Sequence, residues 1–161
     1  MIKAAKEVSY AVIEVSSPAF AEKEIIPAKY TCEGVNVNPP IKISQLPTET
    51  KSLAIVIDDP DAPVNTWIHW IAWDIPVTHL IKENTQVGIE GMNDFQHCGY
   101  EGPCPFSGTH RYHFKVYALD TLLSLPYGSR IRALEKSMSG HILGFGEMVG
   151  VYKKTGNTLL V

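Results

Sequence analysis

A chain of 161 residues with 45% apolar and 19% charged content is long enough for one core hiding roughly two-thirds of its unfolded surface, which excludes bulk disorder. A formal net charge of -3, without any run of Lys or Arg, excludes a general nucleic-acid or membrane-surface binder. Any anion the chain holds must be held locally.

Prolines are spread along the chain, and there is no repeat, low-complexity tract or composition shift, so residues 1–161 read as a single domain. In the first segment Val8, Tyr10 and Val12 alternate as in a strand, while Lys6, Glu7 and Glu14 interrupt it too often for a secretory signal. No stretch approaches the roughly 20 apolar residues that cross a bilayer, and a cytoplasmic location is expected. "SLAIVIDD" (52–59) and "WIHWIAWDI" (67–75) are continuous apolar runs suited to buried strands. Residues 76–109 have no sustained period and carry Gly88, Gly91, Gly99, Gly102 and Gly108. A connection that long is functional or disordered, and its Met92, Phe95, Tyr100 and Phe106 favour function. "HRYHFKVYALD" (110–120) has period two, with Tyr112, Phe114, Val116 and Ala118 on the apolar face. One helix is visible: Ser129 can cap "RIRALEKSM", Ile131, Leu134 and Met138 recur at helical spacing, and Gly140 sits where a left-handed residue ends it. "EMVGVYKK" reads as the last strand, so the fold class is mainly β.

Two stretches carry chemistry. "DDPDAP" (58–63) closes a buried strand with carboxylates held in a proline-stiffened turn, and by itself it reads more readily as a plain turn. Trp67 and His69 follow on alternate positions of the next strand and so share a face. A histidine in so apolar a run must satisfy its ring nitrogens, and a nearby Asp is its natural partner unless the ring is simply a satisfied core group. The second stretch is "CGYEGPCPFSGTHRYHF" (98–114). His110 and Tyr112 share the inward face of their strand, and Gly102, Pro103, Cys104 and Pro105 would form a wall whose backbone N–H groups meet an anion's oxygens. Arg111 points outward, towards a salt bridge or a tie to the loop. Cys32, Cys98 and Cys104 are too few for a disulfide framework and are expected as free thiols. Cys98 and Cys104 with His97 and His110 have no recognised metal spacing, and no G-x-S-x-G elbow is present, so neither a metal, another cofactor nor an enzyme activity is expected.

Together these motifs, with "YTCEGVNVNPP" (30–40) and "GHILGFGEMVGVY" (140–152), resemble the phosphatidylethanolamine-binding protein family, in its short bacterial and archaeal Raf kinase inhibitor-like branch. The resemblance implies a large antiparallel sheet packed on a smaller one, with one or two short helices. It also implies a small cavity for phosphate, a carboxylate or a phosphoethanolamine-like head group. By position, Asp59, His69 and His110 match the pocket acid and its two histidines. Pro63, Trp67, Gly102, Pro103, Pro105 and Tyr112 match lining positions, and Asp61 matches a structural carboxylate. Phe106 replaces a second proline found in many bacterial members, which implies a wider or more apolar rim. The chain is expected to lack the C-terminal helix that covers the mouth in animal members. A small-anion binding protein is the leading expectation. A regulator that inhibits a kinase or protease through a protein partner is the alternative, and a hydrolase using Asp59 and His110 fits less well. A homodimer is compatible with the resemblance, although no stretch identifies an interface.

Overall fold

The structure is a computed structural model that describes residues 9–155. Among the described residues nine strands form two sheets: β1 (Ala11–Val12), β2 (Glu14–Ser16), β3 (Ile41–Ser44), β4 (Ser52–Asp59), β5 (Trp67–Ile75), β6 (Leu80–Ile81), β7 (Ile89–Glu90), β8 (His110–Leu119) and β9 (Ile142–Tyr152). The six-stranded sheet has the order β1-β9-β8-β4-β5-β7, antiparallel except for β1 on β9, and the three-stranded sheet is β2-β3-β6. A single α-helix among the described residues, α1 (Ile131–Met138), covers the outer face of the large sheet. None is long and apolar enough to cross a membrane.

The central strands β4 and β5 are buried on both faces, which explains why they are continuously apolar rather than alternating. Towards the small sheet the large sheet packs Leu53, Ile55, Ile57, Phe114 and Val116 against Ile41, Ile43 and Ile81. Towards the helix it packs Ala54, Val56, Ile71 and Trp73 against Leu134 and Met138. Burying a Leu or Ile side chain contributes about 1.5–3 kcal/mol, so these two layers fix the central strands and the loops at their ends.

Three expectations are corrected. Tyr10 and Val12 face solvent, and the inward residue of the first segment is Ile13, 2% exposed; Val8 lies outside the described residues. The chain changes sheets at this point, with β1 pairing β9 and β2 pairing β3, so one alternating strand becomes two short ones hinged on Ile13. Ser129 does not cap α1: its hydroxyl donates to the Pro126 carbonyl at 2.6 Å and Arg130 stands at the cap position. Gly140 does take φ +83° just beyond the helix. Cys32 and Cys104 are not free thiols but form a disulfide, leaving Cys98 as the free cysteine.

The outer edge of β9 is nearly fully used. Beyond its pairing with β1, residues 22–26 lie along it: Lys23 N–H donates to the Val149 carbonyl, Ile26 N–H to the Val151 carbonyl, Val151 N–H to the Glu24 carbonyl and Val149 N–H to the Glu22 carboxylate.

Candidate functional site

At one end of the large sheet β4, β5 and β8 meet around a cleft of about 230 Å³. Asp59 reaches it from the end of β4, Trp67 and His69 from the start of β5, and His110 and Tyr112 from the start of β8. Pro63, Cys104, Pro105 and Phe106 come from the two loops that sequence reading singled out. Ala62 and Phe95 complete the lining.

A β-bulge aims His69. Asp58 pairs with Ile68 and Ile57 with Trp70, so His69 has no partner on β4 and leaves the ladder. Such an extra residue re-aims its side chain locally. The ring makes edge-on contacts with Phe95 at 5.2 Å and Tyr112 at 5.3 Å. Phe95 was not legible as a site residue, because it belongs to an irregular turn. Asp94 fastens that turn to β5 by exchanging backbone and side-chain bonds with Ile68. The histidine also has a different partner from the expected aspartate. Its Nδ1 lies 2.6 Å from the Glu101 carbonyl oxygen, which can only accept, so Nδ1 carries the proton. Burial holds the pKa of His69 below its ordinary value, against the upward pull of the Glu101 carbonyl and the Asp59 charge. The ring is therefore neutral at neutral pH, with its lone pair on Nε2.

Asp59 orients the other histidine. Its Oδ2 accepts a hydrogen bond from His110 Nδ1–H at 2.6 Å while Oδ1 accepts one from the Asp61 N–H at 2.8 Å, so both oxygens are occupied in a residue 4% exposed. Asp61 in turn accepts from the backbone N–H, Nε and Nη2 of Arg111, at 2.8, 2.9 and 2.8 Å, which ties the 58–63 turn to the start of β8. The guanidinium holds the Asp61 pKa down at about 2. The outward ion pair expected of Arg111 is thus in place.

Tyr112 stands between the two histidines, its ring stacked on His110 at 6.4 Å. Its hydroxyl is buried and makes no hydrogen bond. Asp59 and the Cys104 N–H lie close enough to act on the phenol, but neither meets hydrogen-bond geometry. Burial first and the Asp59 charge second push the Tyr112 pKa up, so the phenol stays a donor.

Gly102 and Pro103 do not line the cleft. A Cβ on Gly102 would lie 2.0 Å from the Tyr30 carbonyl oxygen and 2.5 Å from Asn36 Oδ1, so this glycine permits a close approach to the 30–36 loop. Its N–H, expected to meet an anion, donates to Asn36 Oδ1 at 2.8 Å, and the Pro103 carbonyl accepts the Cys32 N–H at 3.1 Å. With the Cys32–Cys104 bridge and the Tyr100 hydroxyl on the Tyr30 carbonyl at 2.6 Å, these contacts brace the wall from behind. Phe106, 95% exposed, lines the cleft with the half-exposed Trp67. Among the described residues no group of three or more His, Cys, Asp or Glu side chains could hold a metal ion.

Comparison with known proteins gives a consistent result. A family model described as phosphatidylethanolamine-binding protein matches residues 16–153. A UPF0098 protein of Pyrococcus horikoshii is 52% identical over 153 residues, covering 88% of this chain and 77% of that protein. A UPF0098 protein of Pyrococcus abyssi is 50% identical over 154 residues, covering 89% and 86%. Among solved structures, a putative phosphatidylethanolamine-binding protein homologue from Chlamydia trachomatis superposes with TM-score 0.86 at 38% identity, covering 89% of this chain and 98% of that one. Escherichia coli YbcL, described as a new member of the mammalian family, gives TM-score 0.82 at 29% identity, covering 89% and 99%.

Proposed function

The chain belongs to the phosphatidylethanolamine-binding protein family, and from that premise we propose that its cleft binds a small phosphorylated or carboxylated anion. The observation that carries the reading is the buried Tyr112 hydroxyl, a donor without a partner in a cleft whose other polar groups are held in fixed orientations. An unmade buried hydrogen bond costs about 1–3 kcal/mol, and an acceptor oxygen from a ligand removes that cost. With Nδ1 of both histidines engaged, each ring presents Nε2 to the occupant. The neutral His69 accepts there, so the preferred ligand carries acceptor oxygens together with one hydroxyl or N–H. A monoprotonated phosphate ester satisfies both demands, as does the ammonium-bearing phosphoethanolamine. The apolar rim of Phe106 and Trp67 favours an ester over the bare ion.

Titration calorimetry with phosphate, acetate and phosphoethanolamine tests this reading on the wild type and on Tyr112→Phe and His110→Asn. Saturable heat that both substitutions diminish is expected; absence of heat for all three ligands sinks the reading. The exposed rim also supports a second reading, in which a protein partner docks over the mouth. Retention of a captured partner by His110→Asn would favour it over ligand-gated binding.

A further inference from the structure

A second hollow of about 220 Å³ lies away from the cleft and shares no lining residue with it. Its distinguishing group is Glu90, 7% exposed, at the edge of the large sheet. The carboxylate receives one hydrogen bond, from Trp70 Nε1 to Oε2 at 2.8 Å. Among the described residues no Lys, Arg or His side chain pairs with it. Transferring a carboxylate from water to so enclosed a place is costly unless a counter-charge accompanies it or a proton neutralises it. One neutral indole N–H supplies neither.

The surroundings say which counter-charge fits. Asn84 and Gln86 are exposed members of the lining, and their amide oxygens can accept N–H groups. Trp70 and Tyr100, perpendicular at 5.7 Å, are the aromatic members, and aromatic faces attract organic cations. A hard divalent ion needs six or more oxygen ligands around it. Among the described residues no three acidic, His or Cys side chains gather to supply them. The free Cys98 thiol also lines the hollow. We propose that this hollow binds a small organic cation through its primary ammonium or guanidinium group, with Glu90 as the counter-ion. The hollow is too small for a drug-sized ligand, which takes roughly 300 Å³ or more.

The test is titration calorimetry with methylammonium and methylguanidinium chloride, against sodium chloride at the same ionic strength. Three proteins are compared: the wild type, Glu90→Gln, and wild type alkylated at Cys98 with iodoacetamide under non-reducing conditions. The expected result is saturable heat from at least one organic cation in the wild type and none from sodium. Glu90→Gln and Cys98 alkylation should each weaken binding at least tenfold. If Glu90→Gln fails to fold, the alkylated protein, which keeps every buried side chain, supplies the loss. No heat from either cation at millimolar concentration overturns the proposal, as does affinity unchanged by both modifications.

Discussion

Replacing Tyr112 by Phe should change stability and affinity in opposite directions. In the unliganded protein the hydroxyl is buried without a partner, and a polar group in that position costs about 1–3 kcal/mol. Asp59 and the Cys104 N–H are near enough to recover part of this, so the lower end, about 1 kcal/mol, is the working figure. Removing the oxygen while keeping the ring should therefore raise the melting temperature by about 2–4 °C for a chain of this length. The bound state loses a hydrogen bond to a charged oxygen, worth about 1.5–3 kcal/mol, or about 10- to 150-fold in Kd. Calorimetric melting of the free protein and titration with phosphoethanolamine read the two effects separately. A lower melting temperature with affinity within a factor of two of wild type would refute the reasoning, because the hydroxyl would then be a structural group.

The disulfide, the histidine and the braced wall each give a further expectation. Opening Cys32–Cys104 by the double change to Ser frees a loop spanning 72 residues, and chain entropy sets the loss at about 4 kcal/mol, readable as a shift of the urea midpoint under non-reducing conditions. The folded pKa of His69 lies below its ordinary 6.5, so the unfolded chain takes up this proton first. Its contribution is full above pH 6.5, and stability is lost as pH falls through the folded value. Sulfate, which does not titrate in this range, should bind more tightly over the same interval, because a protonated His69 donates at Nε2; affinity independent of pH from 5 to 7.5 would contradict that. Gly102→Ala drives a Cβ into the Tyr30 carbonyl and should lower the melting temperature by several degrees while leaving Cys98 reactivity untouched.

The central strands were legible because their signals are local. The apolar runs of β4 and β5 and the two-residue period of β8 come from burial on faces that single residues reveal. The start of β9 was hidden for a packing reason. Only its later part, from Glu147, was readable, yet the strand begins at Ile142. Its inward positions include Gly146, where a Cβ would sit 2.0 Å from the Ile13 carbonyl oxygen, so glycine replaces the apolar residue that would have shown the period. Within the cleft, strand parity placed Tyr112 and His110 on one face, but parity does not name partners. That Asp59 orients His110 while His69 turns to a backbone carbonyl depends on a bulge with no composition signature. The bridge between Cys32 and Cys104 was invisible for a related reason: it joins two irregular loops distant in the chain, where spacing predicts nothing.

The lining of β9 by residues 22–26 has a consequence for how copies of the chain meet. An uncovered eleven-residue strand would offer a ready template on which a foreign strand could grow, the first step of fibrous assembly. Here those main-chain groups are already engaged from within, and at the opposite border β7 is two residues long. The sheet therefore ends in the molecule itself, which favours solubility at high concentration over stacking.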